Sequence, residues 1–265
     1  MLWNVKEGTI RFENCSMDYM VFGKGYRPLV LIRGLNITRL KGTSLSLLER
    51  YRLYAENFRV YMVDRRDPVP EEITVNEIAE DVYSALQALG IHRAFVMGNS
   101  QGGMIAQYLA LNHPKMVEKL VLNVTACEPN EVLTKNVEHW VDMAHRNELG
   151  KVSDEFMDLM YPPDKRPKPN KILPLLMKNL KTHTPEEFAV LAQSCLSVDT
   201  KDRLKEIKCP VLVLGGAKDV IMSGEASVTL AEALGTEAVI FDNLGHGAYE
   251  TKEYQKKVIE FLKVE

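Results

Sequence analysis

Short apolar runs of strand length alternate along the chain with longer stretches whose apolar residues recur every three or four positions. Near the start, residues 9–12, 17–22 and 29–32 are rich in β-branched, aromatic and aliphatic side chains, with Gly23 and Gly25 between the last two. That pattern predicts an antiparallel hairpin leading into a buried strand. Residues 44–57 set Leu45, Leu48, Tyr51, Leu53 and Tyr54 at helical spacing, and the run 59–63 follows as a strand. Thr74 with Glu77 forms a capping box, predicting a helix that presents Ile78, Val82, Leu86 and Leu89 and stops at Gly90. A strand over 93–97, a helix over 103–112 and a strand over 120–124 come next. Such alternation builds a mostly parallel, twisted sheet covered by helices on both faces, an α/β fold.

The alternation stops near Thr125. Residues 127 to about 198 read as helical, with Trp140, Met143, Phe156, Met157, Met160 and the run 175–180, interrupted by a proline-rich loop over 161–169. Strands resume at 211–214 and 237–241, and a helix closes the chain. The expected organisation is a core of residues 1–125 and 201–265 with a helical lid, 126–200, inserted over the sheet's carboxyl edge, where open α/β sheets bind ligands. The lid residues Met143, Met157, Met160, Met177, Trp140 and Tyr161 read either as an adaptable apolar pocket or as helix packing. Lys165, Arg166, Lys168 and Lys171 read as a solvated loop.

Composition narrows the function classes. The 265 residues are 46% hydrophobic, enough for a sizeable core. Lysine and arginine number 33 against 36 acidic residues, and a net charge of −3 recruits neither nucleic acid nor an anionic membrane. No run approaches the roughly 20 apolar residues of a membrane span, and the first residues lack a signal core. Cys15, Cys127, Cys195 and Cys209 are scattered without metal-binding spacing and read as buried thiols of a reducing compartment. The expectation is a soluble cytoplasmic protein with a small-molecule substrate, no nucleic-acid partner and no membrane insertion. Nothing in the sequence identifies an oligomeric partner.

Gly98-Asn99-Ser100-Gln101-Gly102 falls between the apolar strand and the helix that follows it. A serine at a strand–turn–helix apex, with glycines two residues either side, is a nucleophile elbow. Its hydroxyl is a poor nucleophile without a base, and the base needs an acid to orient it. Of six histidines, His246 lies in a glycine-flanked loop just beyond the last strand, where a base reaches over the sheet edge. His92, His113, His139, His145 and His183 read as surface or structural residues. Asp219, directly after the 211–214 strand, is the favoured acid, with Asp242 as its rival.

With the order Ser100, Asp219, His246, the chain resembles the α/β-hydrolase fold family. The likeness is to its lidded branch of small-molecule esterases, lactonases and carbon–carbon bond hydrolases. Gly98-Asn-Ser-Gln-Gly-Gly103 matches that branch's elbow, Val63-Asp64-Arg65-Arg66 its third-strand exit, and Gly216-x-x-Asp219 its acid turn. The resemblance implies an acyl-enzyme on Ser100 that water later cleaves, with no metal or cofactor. Where relatives carry His-Gly-x, this chain has Arg33-Gly34-Leu35-Asn36. The oxyanion hole uses backbone N–H groups, so Leu35 and Gln101 supply it whatever their side chains. Arg33 reads either as a fixed cation for a substrate carboxylate or as a structural partner of Asp64 or Asp67. Asn36, Asn99 and Trp140 join it as candidate substrate contacts.

The leading reading is a serine hydrolase of a small carboxylic ester, thioester or lactone. Asn99 resembles the residue before the serine in carbon–carbon hydrolases, although the serine- and glycine-rich stretch those carry is absent here. Carbon–carbon cleavage, or a lyase or synthase step on the same triad, is therefore one alternative. A non-enzymatic ligand receptor on the same scaffold is the other.

Overall fold

The computed structural model describes residues 3–166 and 180–263. The chain opens with β1 (Lys6–Arg11) and β2 (Ser16–Phe22), then β3 (Pro28–Ile32), α1 (Ser44–Arg50), α2 (Arg52–Asn57) and β4 (Arg59–Val63). It continues through α3 (Val75–Ala88), β5 (Ala94–Asn99), α4 (Gln101–Asn112) and β6 (Val117–Asn123). After α5 (Glu131–His145), α6 (Leu149–Met160) and α7 (Pro185–Gln193), the sheet resumes with β7 (Val211–Gly216). Then come α8 (Gly224–Leu234), β8 (Ala238–Phe241) and α9 (Lys252–Lys263).

The eight strands form one sheet in the order β1-β2-β4-β3-β5-β6-β7-β8. β2 pairs antiparallel with both β1 and β4, and every pairing from β4 to β8 is parallel. Parallel strands buried on both faces need continuous apolar runs, and their alternating side chains feed two separate cores. Val30, Ile32, Val96, Leu120 and Leu122 join α3 and α4 on one face. Leu29, Leu31, Phe95, Met97 and Val121 meet Tyr54, Tyr254 and Val258 of α2 and α9 on the other.

The capping box expected at the start of α3 forms, and a second one opens α7. Thr74 and Glu77 close a reciprocal capping box on α3, and Thr184 with Glu187 does the same on α7. The helix expected over 44–57 is instead two, because Tyr51 (φ −106°, ψ 23°) departs from helical geometry while burying its ring in the second core. The first strand starts at Lys6, not residue 9; an edge strand with exposed polar ends gives the alternation little contrast.

Between β6 and β7, the described residues are helical with short connecting turns. Most of the helical stretch expected over 175–180 lies outside the described residues, as do Lys168, Lys171 and Met177. Where the description resumes, Thr38 pairs antiparallel with Thr182. Arg39 N–H donates to Lys181 C=O (2.8 Å) and His183 N–H to Ile37 C=O (2.9 Å), so the insertion is stitched to the loop leaving β3. No helix among the described residues is long and apolar enough to cross a membrane.

Candidate active site

Ser100 is the single residue between β5 and α4 and holds φ 56°, ψ −124°, a left-handed conformation that costs a non-glycine residue about 1–3 kcal/mol. Its backbone is held from several sides. Ser100 N–H donates to Asn123 C=O (2.9 Å), while Thr125 Oγ1 (2.8 Å) and Gly103 N–H (2.8 Å) donate to Ser100 C=O. The flanking glycines are steric necessities: a Cβ on Gly98 would lie 2.2 Å from Gly102 O, and one on Gly102 would lie 2.1 Å from Ile32 O. Strand and helix therefore pass at backbone distance, leaving the serine at the apex and 9% exposed. Ser100 Oγ has no hydrogen-bond partner among the described residues.

His246 sits in the turn after β8, and its Nδ1 lies 2.8 Å from Asp219 Oδ2. Asp219 Oδ1 accepts the N–H groups of Ile221 (2.8 Å) and Met222 (3.0 Å), so backbone dipoles hold the carboxylate's second oxygen. Both side chains are buried. A carboxylate on Nδ1 makes that nitrogen the proton-bearing one and leaves Nε2 as the acceptor. Gly216 lets the loop cross β7, since its Cβ would strike Leu244 O at 2.4 Å. Asp242, the rival acid, is exposed. The end of α6 closes over the histidine loop, because a Cβ on Gly247 would meet the Tyr161 ring at 2.6 Å. Tyr161 in turn donates to Glu250, which Arg50 pairs at 3.0 Å. Burial, with Glu250 beside it, holds the Tyr161 hydroxyl well above its ordinary pKa.

The loop leaving β3 brings Gly34 beside the serine, where a Cβ would stand 3.1 Å from Ser100 Cβ and 3.6 Å from its Oγ. The Gly34–Leu35 peptide thus borders Ser100 on one side, and the first turn of α4, beginning with Gln101, borders it on the other. Asn36 Nδ2 donates to Gly34 C=O (2.8 Å). The Gln101 side chain is spent on structure: Nε2 donates to Leu191 C=O (2.6 Å) and Ser194 Oγ (3.1 Å).

Of the four candidate substrate contacts, Arg33, Asn36 and Asn99 hydrogen-bond within the protein and Trp140 packs against an aromatic ring. Arg33 Nη2 pairs with Asp64 Oδ1 at 2.9 Å, and the other oxygen of Asp64 accepts Leu40 N–H at 2.6 Å. Arg33 is thus a structural partner of Asp64. Asn36 folds back on its own loop. Asn99 donates to Tyr51 Oη (3.2 Å) and accepts from Asn123 Nδ2 (2.7 Å). Trp140 is 3% exposed and packs edge-on against Phe156 at 4.5 Å between rings, its indole N–H buried without a partner. Met143 is buried in the same core, whereas Met157 is exposed.

None of the other five histidines forms a hydrogen bond or ion pair with Ser100, Asp219 or His246 among the described residues. His113 stacks on Tyr83 and meets Glu80, His139 meets Glu155, and His92 meets Gln87. His145 lines a cleft of about 1020 Å³ with Ile73, Thr74, Glu77 and Val190, which does not include Ser100 or His246. Two further residues contribute to the site: Thr125 braces the elbow, and Arg65, from the third-strand exit, touches both loops beside the serine. No cluster of metal-ligating side chains is present among the described residues.

Against known proteins, residues 28–253 match the family described as alpha/beta hydrolase fold. The chain is 27% identical over 220 residues to the protein named "Putative carbamate hydrolase RutD" of Caulobacter sp. strain K31, covering 77% of this chain and 81% of that one. It is 22% identical over 219 residues to 3-oxoadipate enol-lactonase 2 of Acinetobacter baylyi, covering 80% and 79% respectively. Among solved structures, the enol-lactonase from Burkholderia xenovorans LB400 superposes with a TM-score of 0.80 at 22% identity, covering 97% of this chain and 100% of that one.

Proposed function

Because the chain belongs to the α/β-hydrolase fold family, we propose that it is a serine hydrolase cleaving a small carboxylic ester, thioester or lactone through an acyl-enzyme on Ser100. The observation that carries this reading is a strained serine at a glycine-walled turn, on the same sheet edge as a buried histidine that a carboxylate orients at 2.8 Å. The carbamate hydrolase and enol-lactonase names of its relatives support the substrate class, since both compounds offer an acyl carbonyl to attack.

In this mechanism Ser100 Oγ attacks the carbonyl carbon as His246 Nε2 takes its proton. The Leu35 and Gln101 N–H groups hold the tetrahedral oxyanion. Collapse breaks the bond to the leaving oxygen or sulfur, which receives the proton from His246. Water, deprotonated by the same nitrogen, then releases the acid and restores the serine. The Ser100–His246 hydrogen bond forms in the substrate complex, as catalytic contacts often tighten only there. The helical insertion, 126–200, serves as the lid over this edge, and four free cysteines accord with a cytoplasmic setting.

A fluorophosphonate probe tests the reading. It should label the wild type and not Ser100→Ala, which should also lose turnover of p-nitrophenyl esters. Equal labelling of both proteins refutes it. A clean preference for vinylogous diketones over esters would move the chemistry to carbon–carbon cleavage.

A further inference from the structure

Arg65 leaves β4 into a buried site, 6% exposed, and forms no salt bridge among the described residues. Its Nη2 donates to Arg33 C=O at 2.9 Å and to Gln101 Oε1 at 2.8 Å. A single nitrogen therefore bridges the loop leaving β3 and the first residue of α4. These segments carry the Leu35 and Gln101 N–H groups on either side of Ser100.

Burying a cation against neutral acceptors is expensive, and a leucine or methionine would fill the same space at lower cost. Burial draws the Arg65 pKa down to about 10, with Asp64 opposing and Arg33 adding to the shift, so the group still carries its charge at neutral pH. The value of this guanidinium therefore lies in what it holds. Asn36 holds the next carbonyl along, Gly34 C=O, at 2.8 Å. That carbonyl and the Leu35 N–H belong to one planar peptide, so orienting one orients the other. Two successive carbonyls of the loop are thus clamped by side chains, and Arg65 ties the clamped loop to the elbow.

We infer that Arg65 is the positioning residue of the oxyanion hole, setting the spacing between the two loops that present N–H groups to the anion formed at Ser100. This inference rests on the serine-hydrolase reading above. Its consequence is specific: loss of Arg65 should weaken binding of the tetrahedral state far more than binding of the substrate.

The experiment compares wild type, Arg65→Met, Arg65→Lys, Gln101→Met and the double variant Arg65→Met with Gln101→Met on p-nitrophenyl butyrate and on a trifluoromethyl ketone, which forms a tetrahedral adduct with an active serine. Arg65→Met should lower kcat by roughly 10–100-fold, below the full cost of deleting an oxyanion donor, with KM within about twofold. Trifluoromethyl ketone affinity should fall in parallel with kcat/KM. Arg65→Lys, keeping the charge and one of the two contacts, should recover part of the loss. Gln101→Met keeps the backbone N–H but removes the Arg65 acceptor, so the double variant should lose less than the sum of the two single losses.

Unchanged kcat in a folded Arg65→Met overturns the inference. So does a loss confined to thermal stability, or strict additivity with Gln101→Met. If Arg65→Met does not fold, Arg65→Lys and Gln101→Met carry the same comparison, and full activity in both overturns it. Failure of the underlying reading looks different: Ser100→Ala would then keep its activity whatever Arg65 does.

Discussion

Asp219 binds with both carboxylate oxygens, one to His246 and the other to two backbone N–H groups. This division predicts what Asp219→Asn would do. The amide oxygen would stay with Ile221 and Met222 N–H, and the NH2 would face His246 Nδ1. That nitrogen would become an acceptor, Nε2 would carry the proton, and the base would be lost without disturbing the fold. Turnover should fall by about 10⁴-fold, with the melting temperature little changed. A drop under about tenfold in p-nitrophenyl ester kinetics would show that Asp219 does not set the tautomer. At this scale the turn at Ser100 is legible in the sequence because the elbow is local. The glycines follow from contacts of 2.1–2.2 Å that any Cβ would make with backbone. Asn36 and Asn99 are not legible in the same way, and for Arg33 the sequence offers Asp64 and Asp67 without choosing between them. A polar side chain near a site satisfies whichever partner reaches it first, and the partner of Arg33 lies 31 residues along the chain.

Among the elements, the insertion is joined to the candidate oxyanion loop by long-range contacts. Thr38 and Thr182 face each other as the non-hydrogen-bonded pair of an antiparallel bridge, since the bonds run between their neighbours. Such pairs place Cα atoms about 4.5 Å apart, within disulfide range. Thr38→Cys with Thr182→Cys should therefore oxidise readily and lock the insertion to that loop. With Ser100 9% exposed, the oxidised form should lose at least about tenfold in kcat/KM, and dithiothreitol should restore it. Unchanged turnover after confirmed oxidation would mean that substrate reaches the serine without the insertion lifting here. Helical periodicity marked this region as helical but not its contacts, because the 3.6-residue pattern reports which face is buried and not what buries it. The break between α1 and α2 at Tyr51 escaped for the same reason: the pattern continues across it while the backbone does not.

For the whole molecule, His183 is a point where pH acts on stability. It is buried beside Arg39, Asp64 and Glu187, and its Nδ1 stands 3.4 Å from Glu187 without a hydrogen bond. Burial, reinforced by Arg39, holds its pKa below the ordinary value against the opposing pull of Asp64 and Glu187. The unfolded chain therefore takes up this proton at higher pH than the native one. The contribution is intact above about pH 6.5 and is lost as pH falls toward the lower native value, by at most about 1.4 kcal/mol per pH unit. Urea unfolding at pH 8 and pH 5 should show a smaller acid loss in His183→Gln than in wild type. Equal losses would place the acid sensitivity elsewhere.

Taken alone, the amino-acid order determined the alternation of strands and helices, the two apolar faces of the central strands, the helical character of the insertion and the turn at Ser100. Each of these depends on neighbours within a few residues, where periodicity and backbone sterics act. The tertiary structure decided among the partners left open: Asp219 and not Asp242 with His246, Asp64 and not Asp67 with Arg33, and Gln101 with Arg65 across 36 residues. Those pairings depend on which strand exits share a sheet edge. Chain crossover sets that adjacency, and no local pattern encodes it.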